Sequence, residues 1–328
     1  MIMANQITLE KSYAITNTKF ILTVLIVFLH CTLHVDKLSA PSGTFINIDN
    51  LFKILFDAAT PAFFAISAYL LFRNFSFEKY GDKLVSRFKS LLIPFVIFQI
   101  VGFIIPFIFT FIRTEQFEWV PSNEFVVGIA NQSYNPPLWF LVTLFQFAIF
   151  SPAIWILFKR FGGKGALIGG GFFYIMNLLD KSAYISVFFW MPIIILGAYM
   201  GYREMEGKKS FWDISWKWGL ALIPVIIATF ILWSGDYSDN MYYTYRLVSG
   251  TLIIILLGGA KFKPFGFERF MMFVYCTHWP AQAFGFFIPK TEMFAFIRPV
   301  YILVLCTFVG WVLNRYLPKL YSVLSGSR

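Results

Sequence analysis

The stretch LLIPFVIFQIVGFIIPFIFTFI, residues 91–112, holds no charged side chain in 22 positions. As a helix it would run about 33 Å at 1.5 Å per residue, enough to cross the ~30 Å hydrocarbon layer of a bilayer. Outward from this stretch lie nine further apolar runs bounded by charge, near residues 18–35, 52–72, 138–158, 165–179, 184–202, 216–234, 243–260, 270–289 and 295–317. The pattern predicts an all-α polytopic membrane protein of about ten transmembrane helices, a single domain over residues 1–328. The fifth run is short and Gly-rich, so it is expected to tilt, pack tightly or be partly re-entrant. The first run is too long for the apolar part of a cleavable signal and follows a polar stretch of 17 residues, so it reads as a retained helix.

Composition agrees. Of 328 residues, 58% are hydrophobic and 13% charged, against about 45–50% and roughly 25% in soluble domains. Mean hydropathy is +0.69. These values exclude a disordered chain, a disulfide-stapled module and an ordinary cytosolic enzyme. Cys31, Cys276 and Cys306 are odd in number and sit in apolar runs, which argues against a disulfide framework or zinc cluster.

The net charge of +10 would suggest a nucleic-acid partner in a soluble protein. With both termini placed in the cytoplasm, the inner segments carry 20 Lys plus Arg and 7 Asp plus Glu, and the outer ones 7 and 10. That asymmetry is the positive-inside pattern, so the charge orients the chain and no nucleic-acid partner is required.

Only three histidines occur, His30, His34 and His278, all in apolar runs or at their ends. Ionisable groups at that depth usually face a protein interior or a water-filled cavity, and imidazole is suited to moving protons near neutral pH. Lys19 and His30 are eleven residues apart, three helical turns, so they share a face with His30 about 16 Å further along. His30 is the candidate proton acceptor. His34, followed by Val35-Asp36-Lys37, reads as interfacial, and Lys19 could be a snorkelling anchor. His30 and His34 have a spacing that can hold a metal from one helix face, but no third ligand follows, so no metal is expected.

Ser67 lies among small residues suited to close helix packing, with a pocket-lining role as the alternative. Asp57 is placed at the outer boundary. Arg87 and Lys89 stand at the entrance to residues 91–112, where a phosphorylated donor would be held; Arg in particular can grip phosphate with two parallel hydrogen bonds. Asn135-Pro136-Pro137 makes a sharp helix start before Trp139, which reads as an aromatic-belt residue. His278, in Tyr275-Cys276-Thr277-His278-Trp279-Pro280, lies well inside its run.

In this order the patches resemble acyltransferase family 3, a family of integral membrane proteins. The match rests on Lys19 to His30, on Phe63-Phe64-Ala65-Ile66-Ser67, on the basic loop from Arg87 to the Leu-x-Pro step at Pro94, on Trp139-Phe140-Leu141 and on Tyr275 to His278, and spans about residues 11–318. The family usually carries Arg at Lys19, Gly at Ala68 and a further Arg where Ser90 stands. The resemblance implies O-acylation, most often O-acetylation, of a cell-surface carbohydrate or glycolipid at the bacterial cytoplasmic membrane. Acyl-CoA would be the donor, with no tightly bound cofactor. It further implies that His30 acts as general base or transient acyl carrier, and that Lys19, Arg87 and Lys89 hold the donor or polarise its thioester. Ser67, Trp139, Tyr275 and His278 would then line the pocket. The competing class is a transporter or flippase for a lipid-linked sugar, which would also use intramembrane histidine and a basic entrance.

Overall fold

The computed structural model describes residues 8–31, 42–115, 121–180, 187–232, 240–287 and 291–326. Among them every regular element is helical. The α-helices are α1 (Leu9–Cys31), α2 (Gly43–Asp57), α3 (Ala59–Arg73), α4 (Tyr80–Arg87), α5 (Ile93–Thr114), α6 (Ser122–Ala130), α7 (Trp139–Leu179), α8 (Val187–Met205), α9 (Leu222–Leu232), α10 (Asn240–Leu257), α11 (Met271–Ala281), α12 (Glu292–Tyr316) and α13 (Pro318–Leu324). A π-helical turn, Phe88–Leu92, joins α4 to α5.

Among the described residues, five helical stretches are long and apolar enough to cross a membrane: Leu9–Cys31, Gly43–Arg73, Tyr80–Ile112, Pro136–Leu179 and Phe294–Tyr316. The other apolar runs carry α8 to α11. The fourth and fifth runs are continuous within α7 but bent at Gly162, whose φ of 53° and ψ of −133° are non-helical. A Cβ at Gly165 would stand 2.7 Å from the Leu157 carbonyl oxygen, so the chain folds back on itself there. The Gly-rich composition of this run thus makes a close turn-back.

The described parts of residues 1–26, 47–84 and 146–268 form one compact unit, and those of 27–46, 85–145 and 269–328 a second. In the first unit α3 packs against α8 at backbone distance. Cβ atoms at Gly197 and Gly201 would lie 2.1 Å and 2.3 Å from the carbonyl oxygens of Ala65 and Tyr69. A small-x-x-x-small face of this kind is how helices approach closely when burial alone offers no driving force. Trp190, Tyr69, Phe64, Phe72, Phe147 and Phe158 fill the surrounding core. In the second unit α11 packs against α5 and α12, and α13 against α5 and α12. Residues 27–31 of α1 belong to this unit, so the helix bearing Lys19 in the first unit carries His30 in the second.

Candidate active site

The site in the second unit begins with a proline. Pro280 closes α11 and has no N–H, so the Cys276 carbonyl four residues earlier loses its helical donor. At apolar depth such a group needs another partner. Asn135 supplies it, its Nδ2 donating to Cys276 O at 2.9 Å and to Phe98 O at 3.3 Å. Gln99 fixes Asn135 in turn: its Nε2 donates to Asn135 O at 2.9 Å, and the Asn135 N–H donates to Gln99 Oε1 at 3.0 Å. The Tyr275 hydroxyl donates to the Pro137 carbonyl. Asn135 is fully buried, and these bonds tie the segment before α7 to both α5 and α11.

That frame holds His278, which is fully buried. Its Nδ1 lies 2.7 Å from the Tyr275 carbonyl oxygen. A carbonyl only accepts, so Nδ1 carries the proton. In the neutral ring Nε2 is then the acceptor, and it faces His30 Nδ1 at 3.3 Å. His30 Nδ1 therefore carries a proton, and its lone pair is on Nε2. The two ring centroids are 5.2 Å apart, and the Trp279 ring meets His30 edge-on at 6.2 Å. A backbone carbonyl thus sets two tautomers in series and gives half-buried His30 the form of a general base.

The second unit also holds Trp139, half-buried and edge-on to Phe140, and Tyr275, whose ring meets Phe140 at 5.9 Å. Arg87 is half-buried and Lys89 exposed, on either side of Phe88 at the π-helical turn. Lys19 and Ser67 belong to the first unit. Lys19 is exposed on α1, and Ser67 lies on the half-buried stripe of α3 with Phe63 and Leu70. The backbone contacts of α3 with Gly197 and Gly201 of α8 are made at Ala65 and Tyr69. His34 falls outside the described residues.

Several polar groups escaped the sequence reading. Asn135 appeared there only as part of a helix start, and Gln99 was not singled out. The signal was present: a proline inside an apolar run leaves a carbonyl that some side chain must satisfy. Asp57, read from the sequence only by its depth, is buried against Arg246 of α10, with Nε 2.6 Å from Oδ2 and Nη2 2.8 Å from Oδ1. The Arg246 guanidinium also lies over the Trp190 ring at 5.0 Å.

At the start of α1, Lys11 Nζ bonds Glu204 at 2.8 Å and Asp213 at 3.1 Å, while Arg73 Nε and the Tyr69 hydroxyl reach Glu204 at 3.0 Å and 2.8 Å. Burial pushes both carboxyls up. Hydrogen bonds from Lys11, Ser210 and Tyr69 to Glu204, and from Ser210 and Lys11 to Asp213, outweigh it and hold both below the usual range. Lys11, Glu204 and Asp213 line a cavity of about 400 Å³ with Lys208, Lys209 and Lys261.

Comparison with known proteins gives two findings and one blank. A family profile described as an acyltransferase domain matches residues 12–315. Relatives from Staphylococcus aureus strains MSSA476 and MW2, each named "Probable poly-beta-1,6-N-acetyl-D-glucosamine export protein", are 25% identical over 294 residues, covering 78% of this chain and 79% of theirs. No solved structure matches. The profile covers nearly the whole chain, including both histidines and the frame around them: the chain belongs to acyltransferase family 3.

Proposed function

We propose that the protein is a membrane-bound O-acyltransferase that moves an acyl group, acetyl in the simplest case, from cytoplasmic acyl-CoA to a hydroxyl of a cell-surface carbohydrate or glycolipid. The setting is the bacterial cytoplasmic membrane, with ten spans and both termini inside. The observation that carries this reading is the hydrogen-bonded imidazole pair, which puts a lone pair on His30 Nε2. In the reaction His30 Nε2 takes the proton of the acceptor hydroxyl as its oxygen attacks the thioester carbonyl. The carbon–sulfur bond breaks, the ester carbon–oxygen bond forms, and the proton passes from His30 to the departing thiolate. Positioned general bases contribute about 10²–10⁴-fold. His278 holds the His30 tautomer and shares the charge that develops on it. Arg87 and Lys89 hold the donor phosphates, and Lys19 holds the donor or polarises its carbonyl.

The test is His30→Ala, inserted at wild-type level, with acetyl ester measured on the surface glycan. Esterification is expected to fall by the full general-base factor; unchanged ester would sink the assignment. The name of the relatives favours a second reading, export of a polysaccharide. A deletion strain separates the two. Polymer at the surface lacking one O-acyl group is the acyltransferase outcome, and polymer absent from the surface is the transport outcome.

A further inference from the structure

Arg298 lies in the second turn of α12, inside the stretch Phe294–Tyr316 that is apolar enough to span a membrane. Elsewhere in this chain a buried arginine meets a carboxylate: Arg246 meets Asp57 and Arg73 meets Glu204. Arg298 meets none among the described residues. Its Nη2 donates to the Gln282 carbonyl at 3.4 Å. Its Nε and the Gln282 Nε2 are both shielded from solvent, and neither has an acceptor among the described residues. Two side chains on adjacent segments thus each hold a buried donor in reserve, one of them cationic.

Their place matters. Gln282 follows His278 by four residues, one helical turn, at the end of α11 away from the basic loop 261–269. Cys31, next to His30, is within electrostatic range of Arg298. The donors therefore stand just beyond the imidazole pair. A guanidinium in an apolar setting without a counter-charge is costly. A carboxylate or phosphate oxygen accepts from both donors and offsets that cost with its charge, whereas a neutral hydroxyl can accept but brings no counter-charge.

We propose that Arg298 and Gln282 form an acceptor-side subsite that takes an anionic oxygen group, carboxylate or phosphate, carried by the molecule to be acylated. This rests on the acyltransferase reading, and it adds the chemical class of the acceptor. The charge on Arg298 selects an anion. The Gln282 amide sets its direction and leaves the acceptor hydroxyl to His30.

Binding is measured by calorimetry on the purified full-length protein in detergent. Glucuronate serves as the carboxylate probe, N-acetylglucosamine 1-phosphate as the phosphate probe and N-acetylglucosamine as the neutral control. At least one anionic sugar is expected to bind at least tenfold more tightly than the neutral one, and the preferred anion names the group. Arg298→Gln is expected to erase that preference and Gln282→Leu to weaken it, with neutral-sugar binding unchanged. Should Arg298→Gln fail to insert, Arg298→Lys keeps the charge without the planar fork and is expected to retain part of the preference. Equal binding of anionic and neutral sugars by the wild type overturns the subsite, as does an undiminished preference in Arg298→Gln or, if that variant is lost, in both Arg298→Lys and Gln282→Leu. His30→Ala separates the two readings: it is expected to bind the anionic sugar normally while losing transfer, so failed transfer and failed binding report on different residues.

Discussion

The decisive pair of atoms is His278 Nε2 and His30 Nδ1, 3.3 Å apart. Sequence spacing finds both histidines, because ionisable groups in apolar runs are rare enough to be conspicuous. It does not find that they touch, since 248 residues separate them and only packing in three dimensions brings α1 and α11 together. Nor does it find the tautomers, which follow from one backbone carbonyl. His278 is then a positioning residue for the proposed chemistry, and His278→Phe tests it. The variant is expected to lose up to the ~10²–10⁴-fold that an oriented base supplies, with the donor KM little changed. The pH–rate profile is the discriminating measurement. A His30 ring freed to choose its tautomer titrates differently, whereas a merely structural loss lowers the rate at every pH and leaves the profile's shape alone.

At the scale of elements, prolines explain much of the polar architecture. Pro280 strips the Cys276 carbonyl of its donor, and Asn135 replaces it. In the first unit Pro192 of α8 does the same to the Phe188 carbonyl, which accepts from Asn177 Nδ2 at 3.1 Å. Pro152 of α7 releases the Ala148 carbonyl, which Ser151 Oγ reaches at 2.8 Å and the Tyr80 hydroxyl at 3.4 Å. The sequence shows each proline and the run it interrupts, but not the donor, which comes from the segment before α7 for Cys276, from α7 for Phe188, and from the neighbouring Ser151 and from Tyr80 for Ala148. Asn135→Leu is expected to destabilise the protein by about 1–3 kcal/mol for the carbonyl left unsatisfied. Detergent-solubilised thermal unfolding checks that figure. The same variant is expected to lower transfer activity more than its stability explains, because α11 carries His278.

For the whole molecule, helical class and the apolar runs were legible because a bilayer imposes length and hydropathy on every crossing. Pairing was not. Asp57 and Arg246 counted as two outer charges in the sequence and cancel each other inside the first unit. The basic excess at the inner loops leads to a topology prediction: alkaline phosphatase fused at either terminus is expected to be inactive, and a fluorescent protein at the C-terminus bright. A pH prediction follows from the Lys11–Glu204–Asp213 cluster. Both carboxyls are depressed in the folded state, so their contribution to stability is complete above the unfolded values near pH 4 and is lost as pH falls through the folded ones. The difference in thermal stability between wild type and Glu204→Gln is therefore expected to be largest near neutral pH and to close on acidification. The buried Asn135 amide has a consequence for genetics. It ties three segments around the histidines, so an unbiased screen for loss of the surface modification should return alleles at Asn135 and Gln99 as often as at His30. A map of such alleles would outline the supporting frame as well as the reacting groups.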